Sequence, residues 1–168
     1  MTMARRLLLA LGAALVFGLF NWSIAQKEAL LRDGQVVRLA LAPVDPRAFL
    51  TGDYMALNYA IAAEAARLMT REAGGRREQD GFVIAKVDER RVATLLRVQQ
   101  RAAPVAPGEV AMAVRLRGGR GRIGTDAYYF EEGSGKRFEA AKFGEFRVDG
   151  AGQMLLVGLL DGSLDPLR

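Results

Sequence analysis

The densest concentration of residues able to do chemistry is Pro43-Val44-Asp45-Pro46-Arg47, followed by Gly52-Asp53-Tyr54 and then by Leu57 and Tyr59. Asp45 can accept backbone N–H groups in an Asx turn, with Pro46 fixing the next φ. Arg47 can pair with Asp53 through a two-pronged contact. Those residue types order a loop before a strand, and the same loop can present a docking surface or an anion site. Asp45 and Asp53 alone are too few oxygen donors to complete a hard-cation site, so no metal or cofactor is expected. Tyr54 and Tyr59 have opposite parity, which turns their side chains to opposite sheet faces. One is expected in the core and the other on the surface, where interfaces favour tyrosine.

Other catalytic routes close on composition. The chain has no histidine and no cysteine, which removes Ser-His-Asp triads, Cys-His pairs, disulfides and thiolate or imidazole metal sites. A Ser-Lys hydrolase would need a serine matched to Lys86, yet Ser23 ends an apolar run and Ser134 and Ser163 adjoin glycines. No catalytic residue is assigned, and the expectation is a protein that is not an enzyme.

The net charge is +5, from 24 Lys plus Arg against 19 Asp plus Glu. Arg115, Arg117, Arg120 and Arg122 gather around Gly118-Gly119-Arg120-Gly121. Gly-Arg mixtures occur in RNA-binding segments. Here the glycines read as a hairpin tip between alternating strands, so solvated strand ends explain the arginines best. Lipid headgroups or an acidic partner surface come next, and nucleic acid is not expected as a partner.

Location settles that order. Arg5 and Arg6 precede an unbroken apolar run over 7–20, followed by Asn21-Trp22-Ser23-Ile24-Ala25. With its interfacial tail, the run approaches the roughly 20 residues a bilayer requires. Positive charge ahead of the run predicts a cytoplasmic N-terminus and an extracytoplasmic remainder, in a bacterial inner membrane. Length and Trp22 favour a retained anchor over 1–26. The rival is a signal peptide cut before Gln26, with Ser23 and Ala25 at the small-residue positions. Ala10, Ala14 and Gly18 recur every fourth residue and would form a small-residue stripe open to another membrane helix, although such residues are common in membrane helices generally.

The remainder, 27–168, must position the motif. A short helix over 26–32 is expected to stop at Asp33-Gly34, followed by a strand over 36–42 with Val37, Leu39 and Leu41 on one face. Alternation predicts a strand over 54–61, with Met55, Leu57, Tyr59 and Ile61 on one side. The Ala-rich 62–73 reads as the one convincing helix beyond the anchor, ended by Gly74-Gly75. Strands follow over 82–87, 92–99, 110–117, 120–125, 128–130, 143–148 and 153–160, with turn signals between them. Residues 154–160 are apolar on both faces and predict a central, buried strand. The fold class is mainly β, a small sandwich or barrel-like domain with one short helix, plus one N-terminal transmembrane helix.

The run Gly52-Asp53-Tyr54, with Leu57 and Tyr59, is similar to the signature of the GDYXXLXY proteins, a bacterial family named for that string. Val44-Asp45-Pro46-Arg47, Tyr129-Phe130-Glu131-Glu132-Gly133, Phe143-Gly144-Glu145 and Asp165-Pro166-Leu167 resemble that family's pattern as well. Two positions depart from it: Phe143 stands where a second tyrosine is usual, and Tyr129 where phenylalanine is. The resemblance implies a single-anchor membrane protein without an assigned activity, associated with larger multi-spanning membrane proteins. The expected function is therefore a non-catalytic accessory subunit whose exported domain docks onto a multi-spanning integral membrane protein. The alternative is an exported binding domain for a small ligand or envelope polymer, using Tyr128-Tyr129 and the nearby arginines.

Overall fold

A computed structural model describes residues 3–42, 54–72 and 74–167. Helix α1, Met3–Asp33, is continuous. The helix expected over 26–32 is therefore its last turns, because no residue between Leu7 and Arg32 breaks the hydrogen-bond ladder. At 1.5 Å per residue α1 is about 46 Å long, against about 30 Å of hydrocarbon in a bilayer. It is the one helix among the described residues long and apolar enough to cross a membrane. Its described side chains from Leu7 to Glu28 are exposed to the surroundings.

Gly34 alone separates α1 from strand β1, Gln35–Ala40. Its N–H donates to the Leu30 carbonyl at 3.0 Å, and Arg147 donates to the Gly34 carbonyl at 3.1 Å. A Cβ at position 34 would run into the Leu30 carbonyl and the Arg147 side chain. Leu30 itself is buried. The helix thus enters the domain through a fixed joint instead of a linker.

Beyond it lie β2 (Tyr54–Ala56), α2 (Ala60–Glu72), β3 (Gln79–Val87), β4 (Ala93–Gln99), β5 (Glu109–Arg117) and β6 (Arg120–Ile123). These are followed by β7 (Ala127–Tyr129), a short α3 (Gly135–Phe138), β8 (Phe143–Val148) and β9 (Met154–Leu160). They form three antiparallel sheets, in the orders β1-β8-β9, β2-β7 and β4-β3-β5-β6. The sheets meet at seams: Arg38 N–H to Arg91 O (2.7 Å), Ala42 N–H to Asn58 O (2.7 Å), and Ala113 N–H to Gly152 O (2.9 Å). The chain is a mainly β domain carrying one N-terminal apolar helix.

The seams enclose one core. Phe146 and Leu39 are fully buried in it, and Val37, Leu57, Tyr59 and Met112 join them. Tyr59 meets Phe146 edge-on at 5.4 Å between centroids. Burying one such aromatic ring contributes about 1.5–3 kcal/mol. Gly124, at φ +65°, lies against that ring, and a Cβ there would collide with it.

Three sequence expectations need correction. The strand over 54–61 ends at Ala56, and α2 already begins at Ala60, so Ile61 is helical. Helical alanines from position 60 onward outweigh an alternation that would otherwise carry on through Ile61. Met55, Leu57, Tyr59 and Ile61 are nevertheless all buried. Second, β9 is the edge of its sheet, with β8 in the centre. Val157 is 47% exposed. Continuous apolarity marked an edge strand here and not a central one, although Leu159 and Leu160 are buried as expected. Third, α3 is a helix beyond the two expected, and it seats Phe138 against Tyr128 (5.1 Å) and Phe130 (5.2 Å).

Candidate functional site

The residues singled out from sequence divide into groups. Asp45, Pro46, Arg47, Gly52 and Asp53 lie outside the described residues, and with them the Arg47–Asp53 pairing. Tyr54, Leu57 and Tyr59 are described, and the structure separates their roles. Leu57 and Tyr59 are core, while Tyr54 is 41% exposed. Tyr54 stands directly opposite Tyr129 in the β2–β7 ribbon, with ring centroids 5.8 Å apart. Tyr129 is 76% exposed, so the two tyrosines make an aromatic pair on the surface. Its neighbour Tyr128 turns inward onto Phe138, as strand alternation requires. Tyr128 and Tyr129 therefore serve opposite faces.

Ala10, Ala14 and Gly18 are exposed along α1, and a Cβ at Gly18 would meet nothing. The described part of the molecule leaves that stripe uncovered.

The basic hairpin forms as read. Gly118 and Gly119 both have positive φ (+58° and +81°), the requirement of a type I′ turn. Register places Arg115 opposite Arg122 and Arg117 opposite Arg120. Like charges facing across a strand pair are destabilising. Carboxylates relieve two of them: Asp80 pairs with Arg117 at 2.6 Å and Asp126 with Arg122 at 3.2 Å. Arg115 and Arg120 have no carboxylate partner among the described residues.

The hairpin also borders a groove of about 860 Å³ that sequence reading did not find. One wall is β6, with Arg120 and Arg122. The other is α2, with Arg67 and Arg71, and Leu57, Asn58 and Tyr59 close one end. Small residues make the space. The α2 backbone approaches β6 so closely that a Cβ on Gly121 would strike the Ala62 carbonyl. Both walls are tied together beyond α2. Gly75 N–H returns to Thr70 O and Gly74 N–H to Arg71 O, a Schellman close. Arg77 then donates to Gly118 O at 3.0 Å, and Gly119 N–H donates to Arg77 O at 3.1 Å.

Four arginines and one acidic residue, Asp126, are among the residues that border the groove, and Arg122 is already paired with Asp126. The Tyr59 hydroxyl is buried and has no hydrogen-bond partner among the described residues. Burial first, and the nearby Asp126 charge second, push its pKa up, so it remains a protonated donor. An unpaired buried donor of this kind costs about 1–3 kcal/mol.

Arg67, Arg71 and Asp126 were missed from sequence, although a signal existed. Ala62, Ala63, Ala66, Arg67, Thr70 and Arg71 fall on one side of a 3.6-residue helix. Lys86 is exposed on β3, and none of the three serines lies on a neighbouring strand: Ser134 immediately precedes α3, Ser23 is on α1 and Ser163 sits in a turn. No cluster of three or more acidic side chains that could hold a metal occurs among the described residues.

A second cavity, of about 640 Å³, lies where α1 joins the domain, between Lys27, Leu30 and Asp33 on the helix and Ala102, Val105 and Val110.

A protein-family model described as GDYXXLXY protein matches residues 16–159. No curated protein matches the chain, and no solved structure does.

Proposed function

The chain belongs to the GDYXXLXY protein family, and on that premise we propose that it is a non-catalytic accessory subunit anchored in the bacterial inner membrane. α1 spans the bilayer with its N-terminus in the cytoplasm, and the β domain stands in the periplasm and docks onto a multi-spanning integral membrane protein. The observation that carries this reading is the joint at Gly34. A helix that passes into a strand across one residue, clamped by Arg147 and by buried Leu30, fixes the domain relative to the membrane. A tethered enzyme acting on soluble substrate gains nothing from such a joint. A subunit that must meet one partner both within and above the bilayer does, because preorganisation lowers the entropic cost of association.

Two surfaces fit that partner. Within the membrane, the Ala10/Ala14/Gly18 stripe lets a second helix approach closely. Above it, the apolar outer side of β9, including exposed Val157, lies on a strand that packs beside α1. The exposed Tyr54–Tyr129 pair supplies the rigid aromatic contacts that interfaces favour. The non-catalytic part of the proposal rests on the missing histidine and cysteine and on the unmatched Lys86.

A photoreactive amino acid at position 157 or 129 tests the docking face in living cells. Adducts to one multi-spanning membrane protein are expected from both positions, and not from exposed Arg101. Adducts of equal yield from all three positions would overturn the reading.

A second reading, an exported binding domain for a small ligand or envelope polymer, is favoured by the groove between α2 and the basic hairpin.

A further inference from the structure

We infer that the loop over 101–108, between β4 and β5, is a second membrane contact that rests against the periplasmic headgroup layer and orients the domain on the lipid bilayer. The inference deepens the proposal above and rests on its reading that α1 spans the membrane. The cavity at the joint has Gln26, Lys27 and Leu30 on one side and Ala102, Ala103 and Val105 on the other. Gln26 lies eight residues before Gly34, about 12 Å of helix. The loop therefore flanks α1 before the helix reaches the sheet. Counted from Leu7, about 30 Å of hydrocarbon ends near Gln26, and the headgroup layer covers roughly the next 5–8 Å. That is the level of the loop.

Its chemistry suits that level. Between Arg101 and Glu109 the chain reads Ala102-Ala103-Pro104-Val105-Ala106-Pro107-Gly108, with no charged side chain. Residues 103–108 are exposed, and Val105 keeps 42% of its surface accessible. A contiguous exposed apolar patch, unlike a single residue, marks an interaction surface. The backbone fits as well. Pro104 and Pro107 have no N–H to leave unpaired, and the Ala106 N–H donates to the Glu109 carboxylate at 3.1 Å. Arg97 bonds the same carboxylate at 2.8 and 2.9 Å, so the loop is held in shape before it meets lipid. Cations border the stretch, Arg101 in sequence and Lys27 across the cavity, at the height of the lipid phosphates.

Protein is the rival occupant, either a second copy or the integral membrane partner. Lipid is the one neighbour that a membrane-spanning α1 brings to this height whatever else is present. The apolar loop continues the surface that the anchor already presents to the bilayer.

The chain has no cysteine, so single-cysteine variants carry one nitroxide each. Val105→Cys, Ala103→Cys, Leu15→Cys and Arg137→Cys would be labelled in the full-length protein, in nanodiscs of mixed phosphatidylethanolamine and phosphatidylglycerol. Arg137 is the aqueous control: it is exposed, and it precedes Phe143, which pairs with Ala40 at the far end of β1. Electron paramagnetic resonance reads each label's collisions with a water-soluble nickel chelate and with oxygen, which concentrates in hydrocarbon. Labels at 103 and 105 should meet the chelate at least about threefold less often than the label at 137. A nickel-chelating lipid should relax the first two and not the third. The same protein held in amphipol, without lipid, should lose the protection. Equal chelate access at 103, 105 and 137, with the label at 15 still in hydrocarbon, would overturn the loop contact and keep the anchor. An aqueous label at 15 would overturn both. Protection that persists in amphipol would assign the cover to protein and contradict the inference. So would protection found in native membrane vesicles and absent from the nanodiscs.

Discussion

At the scale of single residues, the core and the surface of this domain are set by parity. Tyr59 and Phe146 meet edge-on at its centre, and Phe146 has no exposed area. Phe146→Ala should cost about 3–5 kcal/mol, because the cavity adds to the lost transfer energy. Chemical denaturation of the detergent-solubilised chain reads that loss, and a change below about 1 kcal/mol would contradict the packing described. Glu109 offers a pH-dependent counterpart. Arg97 bonds it at 2.8 and 2.9 Å, and the Ala106 N–H adds a further bond. The pairing with Arg97, and next that backbone bond, hold its carboxyl down at about 2, from an ordinary 4.5. A depressed carboxylate contributes stability that is fully present above the unfolded pKa and is lost as pH falls through the folded one. Glu109→Gln should therefore lower the thermal midpoint at pH 7. The gap between variant and native protein should narrow from about pH 4.5 downward and close near pH 2. A gap that stays constant over that range would show that the ion pair is not its cause.

At the scale of elements, the close approach of α2 to β6 depends on Gly121. Gly121→Ala should push the helix away from the strand and cost about 1–3 kcal/mol, an overpacking effect measurable by thermal or chemical unfolding. The elements themselves were largely legible. Asp33-Gly34, Gly74-Gly75, Gly118-Gly119 and Asp149-Gly150-Ala151-Gly152 each end or turn a segment as their chemistry dictates. Asp149, for example, accepts from both Ala151 and Gln153 in the β8–β9 turn. Periodicity failed where two periods overlap. Met55, Leu57, Tyr59 and Ile61 fit a strand, and all four reach the core, yet the last belongs to a helix. It failed again at β9, since apolarity cannot distinguish a central strand from an edge strand that lies beside a hydrophobic helix. The groove was illegible for another reason. Its walls come from positions 57–71 and 119–126, and no local pattern reveals which strand a distant helix will cover.

Across the whole molecule, the proposed function requires a stalk, α1, joined without a linker to an oriented head. Reporter fusions should place the N-terminus in the cytoplasm and residue 167 in the periplasm, and the reverse labelling would refute the positive-inside reading. The two proposed activities occupy different regions. Docking uses α1, β9 and the Tyr54–Tyr129 pair, whereas the groove opens beyond β1, away from the joint. Variants of one should therefore leave the other intact. The most direct test of the accessory-subunit claim is gentle detergent extraction of the tagged full-length chain from its native membrane. Native protein would be compared with an Ala10→Leu, Ala14→Leu, Gly18→Leu variant and with one carrying a flexible Gly/Ser insertion after Gly34. A stoichiometric multi-spanning partner is expected with the native chain, lost from both variants although their β domains remain folded. A native chain that emerges intact and alone, or a partner retained by both variants, would contradict it.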